Sequence, residues 1–273
     1  MKKLIPVCAA LALATPVLAG HHMPAPETKT ALSAALAAES RAADRARDQY
    51  RHPAQTLKFF KVKPGMTVVD YMPSGGWYTR ILVPYLGSNG KYVGLNPKVP
   101  DGATERFANY IGGLSEKFPP KAKAWNLKGA PISAYNTDQL GEDMDGTVDR
   151  VLIFREMHNL HRFGSLHFEL NRLHAVLKHD GLLGIVQHRA KPWATASYST
   201  GNMGYMRQKD VIGLVEAHGF ELLQTSEINA NVRDTADYPK GVWELAPALR
   251  TKRDELKSIG ESDRMTLLFR KRS

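Results

Sequence analysis

The sequence predicts an α/β fold, an open and mostly parallel seven-stranded sheet with helices on both faces and one antiparallel strand. Three observations carry this. Residues 67 to 86 read as a buried strand, a tight turn of small residues, and a helix. Further apolar runs, at Lys91 to Asn96, Val148 to Phe154 and Leu182 to Val186, alternate with helical patterns, as crossover units of a parallel sheet do. Two last runs, Phe220 to Ser226 and Met265 to Arg270, have no helix between them and so form an antiparallel edge hairpin.

In chain order, Met1-Lys2-Lys3 and the apolar run Leu4 to Leu18, closing on Val17-Leu18-Ala19, read as a secretory signal over residues 1–19. The implied location is periplasmic or secreted, with no stable membrane span once the signal is cut. Residues 20–52 form a linker and an N-terminal helix, the Ala-rich run from Thr30 to Gln49, which would lie across the domain, either as a lid over a cleft or as a plain surface helix. Residues 53–273 then form one domain. Thr104 to Phe118 carry a helical pattern closed by Pro119-Pro120, a short strand is expected near Ala122 to Leu127, and residues 128 to 147 read as a loop. The helices Gly164 to Lys178 and Gln208 to His218 complete the pattern.

Cys8 is the only cysteine and falls inside the signal, so the mature chain has none; disulfides, thiol catalysis and a thiolate zinc site are excluded. The net charge of +10 becomes +8 without Lys2 and Lys3, which would favour acidic partners but reads first as a plain soluble basic surface. Without an Arg/Lys run interleaved with aromatics, nucleic acid is not an expected partner.

Asp70-Tyr-Met-Pro-Ser-Gly-Gly-Trp-Tyr-Thr79 aligns without a gap on the D-x-G-x-G-x-G-x-x-T loop of the class I S-adenosylmethionine (SAM) dependent methyltransferases, and the chain resembles that family from about residue 50 to 271. It looks most like a bacterial exported branch of predicted methyltransferases in which a Pro and a Gly-Gly-Trp-Tyr-Thr run fill the loop. Met72 and Ser74 stand where the loop usually has its first two glycines, and Gly76 keeps the third. The resemblance implies a Rossmann-like methyltransferase sheet and SAM as cofactor, with Asp70, Pro73, Ser74, Gly75, Gly76, Tyr78 and Thr79 in the cofactor loop. It further implies that Asn96, at the end of the second strand, meets the ribose hydroxyls and that Asp138 reaches the adenine amino group, unless it is simply an exposed loop acid.

Methyl transfer is an in-line displacement, so alignment is the main task and a base is needed only when the acceptor loses a proton. His158 and His188, at the carboxyl ends of adjacent strands, are the candidate bases. Arg155 and Arg189 would orient an anionic acceptor or the SAM carboxylate, and Asn159 would hydrogen-bond the acceptor. His158 is equally readable as a helix-capping side chain. His158 with His161, and His167 with His174, have ligand-like spacing, but without His-Glu-x-x-His or a carboxylate cluster no metal is expected. The sequence therefore predicts a methyltransferase acting on a small or envelope-associated acceptor, at oxygen. The alternative is a non-catalytic protein of that fold that binds a ligand or stabilises a partner in the periplasm.

Overall fold

The computed structural model describes residues 30–272, so the expected signal, Cys8 and most of the linker lie outside the described residues. Eight strands form one sheet: β1 Thr67–Tyr71, β2 Lys91–Asn96, β3 Ile132–Asn136, β4 Val148–Phe154, β5 Leu177–Ala190, β6 Met206–Arg207, β7 Phe220–Ser226 and β8 Arg264–Lys271. Their order is β3-β2-β1-β4-β5-β8-β7, with the two-residue β6 pairing the end of β5. Only β8 runs antiparallel to its neighbours, so the mostly parallel sheet with one antiparallel strand is as the sequence predicts. Strand order reverses between β1 and β4, which pair in parallel from Val68↔Arg150 to Tyr71↔Ile153. Crevices at such a reversal, outside the carboxyl ends of the strands, are where sheets of this kind bind ligands.

The central strands are apolar on both faces because both faces are covered. Val69, Val151, Ile153, Leu183 and Ile185 face one core layer with the helices Leu166–Val176 and Gln208–Glu216. Val68, Leu152, Phe154, Leu182 and Val186 face the other, with the helices Pro53–Phe59 and Thr79–Leu86. A third, smaller core of Ala190, Tyr205, Ala236, Tyr238, Val242, Leu245 and Leu256 forms where the long excursion after β7 folds over the end of β5. Asp149 ties β4 to its neighbours, accepting the Thr67 N–H at 2.8 Å and pairing Lys178 at 2.6 Å.

The structure corrects two expectations. The third strand is Ile132–Asn136 and not Ala122 to Leu127, where the helix Leu114–Lys123 runs through Pro119 and Pro120. Ile-Ser-Ala-Tyr-Asn is a half-buried edge strand, and its mixed polarity reads locally as a loop. The N-terminal helix covers only Ala31–Ala37; two short 3-10 turns, Glu39–Arg41 and Arg45–Arg47, and the helix Asp48–Arg51 follow it. The antiparallel edge hairpin is as expected, with β8 inside against β5 and β7 at the edge. Among the described residues no helix is long and apolar enough to cross a membrane.

Gly184, in β5, lies beneath the fully buried ring of Phe60, and a Cβ at residue 184 would stand 2.7 Å from that ring. Gly184→Ala should therefore cost about 1–3 kcal/mol through overpacking. Urea denaturation checks this, and a variant within about 0.5 kcal/mol of wild type contradicts it.

Candidate functional site

At the carboxyl end of β1 the chain turns through Met72 (φ 55°), Ser74 (φ 50°) and Gly76 (φ 74°), three left-handed residues of which only one is glycine. The backbone conformation that glycine serves best is thus kept at residues 72 and 74 with side chains attached, a strain of about 1–3 kcal/mol each held by the surroundings. Arg80 donates to the Gly75 carbonyl at 3.0 Å and Lys121 to the Ser74 carbonyl at 3.0 Å, fixing the turn from outside. The N–H groups of Ser74 and Gly75 take no backbone partner among the described residues. Arg155, at the end of β4, is left-handed as well (φ 64°).

Two cavities flank Met72 at the strand reversal. One, of about 240 Å3, is polar and is lined by Asp70, Pro73, Ser74, Gly75 and Tyr78 from the first loop, by Arg155 and Glu156, and by Arg47 and Arg51 of the N-terminal segment. The other, of about 210 Å3, is largely apolar, with Tyr71, Pro97, Phe107, Tyr110, Asn159 and Phe163 in its wall. Met72 and Glu156 line both. Each is smaller than the roughly 300 Å3 of a typical small-molecule site, and together they fall within that range. Phe107 packs on Phe163 at 5.1 Å between centroids, and Tyr110 and Phe163 remain 53% and 39% exposed, leaving aromatic surface at the mouth for a planar ligand.

Of the expected cofactor residues, Asp70, Pro73, Ser74, Gly75 and Tyr78 line the polar cavity. Gly76 and Thr79 turn away from it. A Cβ on Gly76 would stand 2.0 Å from the Trp125 ring, and buried Thr79 bonds the Tyr92 hydroxyl at 2.7 Å. That hydroxyl donates to Asp70 at 2.8 Å, and burial raises the Asp70 carboxyl from its ordinary 3.8 to about 7. Asn96 is buried with its side-chain NH2 unpartnered, and neither it nor the exposed Asp138 is in either cavity wall.

The structure brings His158 and His188 together, with ring centroids 5.7 Å apart. His158 lies 3.4 Å from the Gln187 side-chain amide oxygen and His188 2.6 Å from the Ser262 hydroxyl. Burial lowers His158 to about 4 and His188 well below its usual value, with nearby Arg155 adding to both, so both rings are neutral at pH 7. Arg189 lies elsewhere. It holds Asp263 at 2.9 Å and Glu227 at 2.6 Å in the wall of a separate cavity, and both carboxylates raise its pKa. Asn159 donates to Glu156 at 2.5 Å.

Glu156 is the residue that sequence reasoning missed, although it lies inside the run Arg155 to Asn159. Burial raises its carboxyl to about 7, against the lowering pull of Asn159 and Arg155. A carboxyl that titrates near neutrality at the junction of two cavities can take a proton from a bound hydroxyl. The other histidines serve locally, His161 on the Thr200 carbonyl at 2.8 Å and His167 against His218 at 3.1 Å. Among the described residues no three His, Cys, Asp or Glu gather as a metal site.

No protein-family model matches the chain, and no curated protein matches it. Solved structures do. A SAM dependent methyltransferase from Aquifex aeolicus is 21% identical over 68% of this chain and 88% of its own, with a TM-score of 0.48. The 1,6-didemethyltoxoflavin-N1-methyltransferase of Burkholderia thailandensis, solved with S-adenosylhomocysteine bound, is 14% identical over 85% of this chain and 80% of its own, with a TM-score of 0.46.

Two stability measurements test this geometry. Gly76→Ala forces a Cβ into Trp125 at a left-handed backbone and should lower Tm by several degrees, whereas Gly75→Val, with nothing within 4 Å, should leave it nearly unchanged. Equal losses would contradict the division of labour. Because the folded state holds a proton on Asp70 that the unfolded chain releases near pH 4, its contribution is present below that pH and lost as pH rises through about 7. Asp70→Asn should thus gain on wild type between pH 5 and pH 8, by roughly 1 to 3 kcal/mol, and a constant difference in ΔG of unfolding refutes the shift.

Proposed function

We propose that the chain is a SAM-dependent methyltransferase that transfers a methyl group to oxygen on a small or envelope-associated acceptor. The observation that supports it best is the pair of joined cavities at the β1/β4 reversal, one aromatic and one polar, meeting at a carboxyl that titrates near 7. The SAM-type loop resemblance and the cofactor named for the similar structures point the same way. SAM supplies an electrophilic methyl on a sulfonium. The aromatic cavity, with Phe107, Tyr110 and Phe163, suits the nucleoside, and the N–H groups of Ser74 and Gly75 suit its charged end.

Glu156 accepts the acceptor's hydroxyl proton as the oxygen attacks, and Asn159 holds that carboxyl in place. Neutral His158 and His188 line neither cavity and are held by Gln187 and Ser262, so Glu156 takes the base's role expected of them. The basic amino terminus and its apolar run support export, so the periplasm is the proposed location.

A second reading, a fold that binds another ligand without catalysis, is favoured by the Met72 side chain in both cavity walls and by buried Asn96 where an acidic ribose contact is expected.

Calorimetry with SAM and S-adenosylhomocysteine separates the two. The first reading expects binding tighter than about 100 μM, near −5.5 kcal/mol, and about tenfold weaker binding by Gly75→Val at unchanged Tm. No binding of either by the folded chain leaves only the second reading. Once an acceptor is found, turnover should rise with pH through about 7 and fall about 100-fold or more in Glu156→Gln, with S-adenosylhomocysteine affinity retained.

A further inference from the structure

The polar cavity holds more positive charge than the proposed cofactor can use. Arg47, Arg51 and Arg155 line it, with Arg264 behind them, and the fully ionised carboxylate they share is Glu261. Asp44, in the same wall, is already held by both nitrogens of a bidentate Arg80 at 2.6 and 2.8 Å. Arg51 is 2% exposed and spends its Nε on Glu261 at 3.1 Å, while its Nη1 and Nη2 have no hydrogen-bond partner. Buried guanidinium nitrogens left unpaired are costly, on the order of 1–3 kcal/mol. The Arg155 side chain forms no hydrogen bond or ion pair with any described residue, and its backbone is held at φ 64° where β4 ends.

A cationic sulfonium brought into this chamber adds to the surplus. With the cofactor's own carboxylate assigned to the Ser74 and Gly75 N–H groups, a second, anionic molecule would restore balance, and planar guanidinium forks match oxyanions with paired donors. We infer that the acceptor carries an oxyanion, a carboxylate or a phosphate, and that Arg51 and Arg155 hold it beside Glu156 while Arg47 contributes long-range attraction. The inference rests on the methyltransferase reading for the word acceptor, but the anion site stands on these residues alone. Crowding supports it: burial lowers the pKa of both Arg51 and Arg155, and neighbouring guanidiniums, Arg155 for Arg51 and Arg264 for Arg155, lower them further.

The test titrates the full chain with inorganic phosphate and with malonate, each with and without saturating S-adenosylhomocysteine, and follows heat and Tm. At least one anion should bind with the nucleoside present. Its affinity should fall about tenfold or more in Arg51→Met and in Arg155→Met, while S-adenosylhomocysteine affinity changes by less than about threefold. Which anion binds separates phosphate from carboxylate. Arg155→Gln removes no ion pair and keeps the test alive if Arg51→Met does not fold. Competition between anion and S-adenosylhomocysteine, with both variants losing the nucleoside, would assign the guanidiniums to the cofactor's own carboxylate and overturn the inference. So would anion binding that is absent, or unchanged in both variants. If the anions bind as expected but S-adenosylhomocysteine never does, the anion site survives and the transferase reading falls.

Discussion

One buried carboxylate organises the cleft face of this molecule. Glu261, 4% exposed, accepts from Arg47 at 2.7 Å, from Arg51 at 3.1 Å and from Arg264 at 2.9 Å. Burial alone would raise its pKa, yet the guanidiniums of Arg51, Arg264, Arg47 and Arg155 hold it down at about 2. Isolated, any of these charges would be expensive inside the protein; as a cluster they tie the N-terminal segment to the start of β8 across more than 200 residues of chain. Arg264 extends the tie by donating to the Tyr50 carbonyl at 2.5 Å, and Asn229 bonds both Thr56 and Thr266 at 3.0 Å. A network of this kind fixes where the N-terminal segment lies more than it adds net stability.

From that anchor the segment forms a wall of the polar cavity. Trp77, at the end of the first loop, lies between Arg41 and Arg51, with guanidinium carbons 5.1 and 4.7 Å from its ring, and donates its indole N–H to the Asp44 carbonyl at 3.3 Å. Arg41 can be fully buried because Asp48 and the Leu36 carbonyl take its terminal nitrogens. Asp44 in turn clamps Arg80 of the following helix. Residues 39–51 are therefore part of the cleft, and the breaks that divide the expected single helix let Asp44, Arg47 and Arg51 face it together.

What was legible in the sequence was what depends on near neighbours. The strand, turn and helix at 67–86 are readable because β-branched residues, small turn residues and a helical apolar face each act within a few positions. The carboxyl-end placement of Arg155 and His158 followed from the β4 pattern in the same way. The third strand was not legible, since an edge strand with alternating polarity has no local mark that separates it from a loop. Nor was the arginine cluster, because Arg47, Arg51, Arg155 and Glu261 meet only after the sheet has closed. Arg189 looked like an equal of Arg155 in sequence, and two carboxylates from the excursion after β7 decide otherwise.

Glu156 shows why chemistry stayed hidden even where residues were visible. A Glu followed by Met-His-Asn carries no sign of its pKa; the shift comes from burial where two cavities adjoin, and Met72 lines both beside it. Met72 does this while strained, at a backbone angle that glycine would take without cost. Glycine there would relieve the strain and remove a side chain that both cavity walls share. Keeping the side chain leaves a thioether and a carboxyl as the two groups common to both walls. On the proposed function, a cationic group would meet the carboxylate form of Glu156 and an oxyanion the guanidiniums, so the sign of the charge would sort the two ligands.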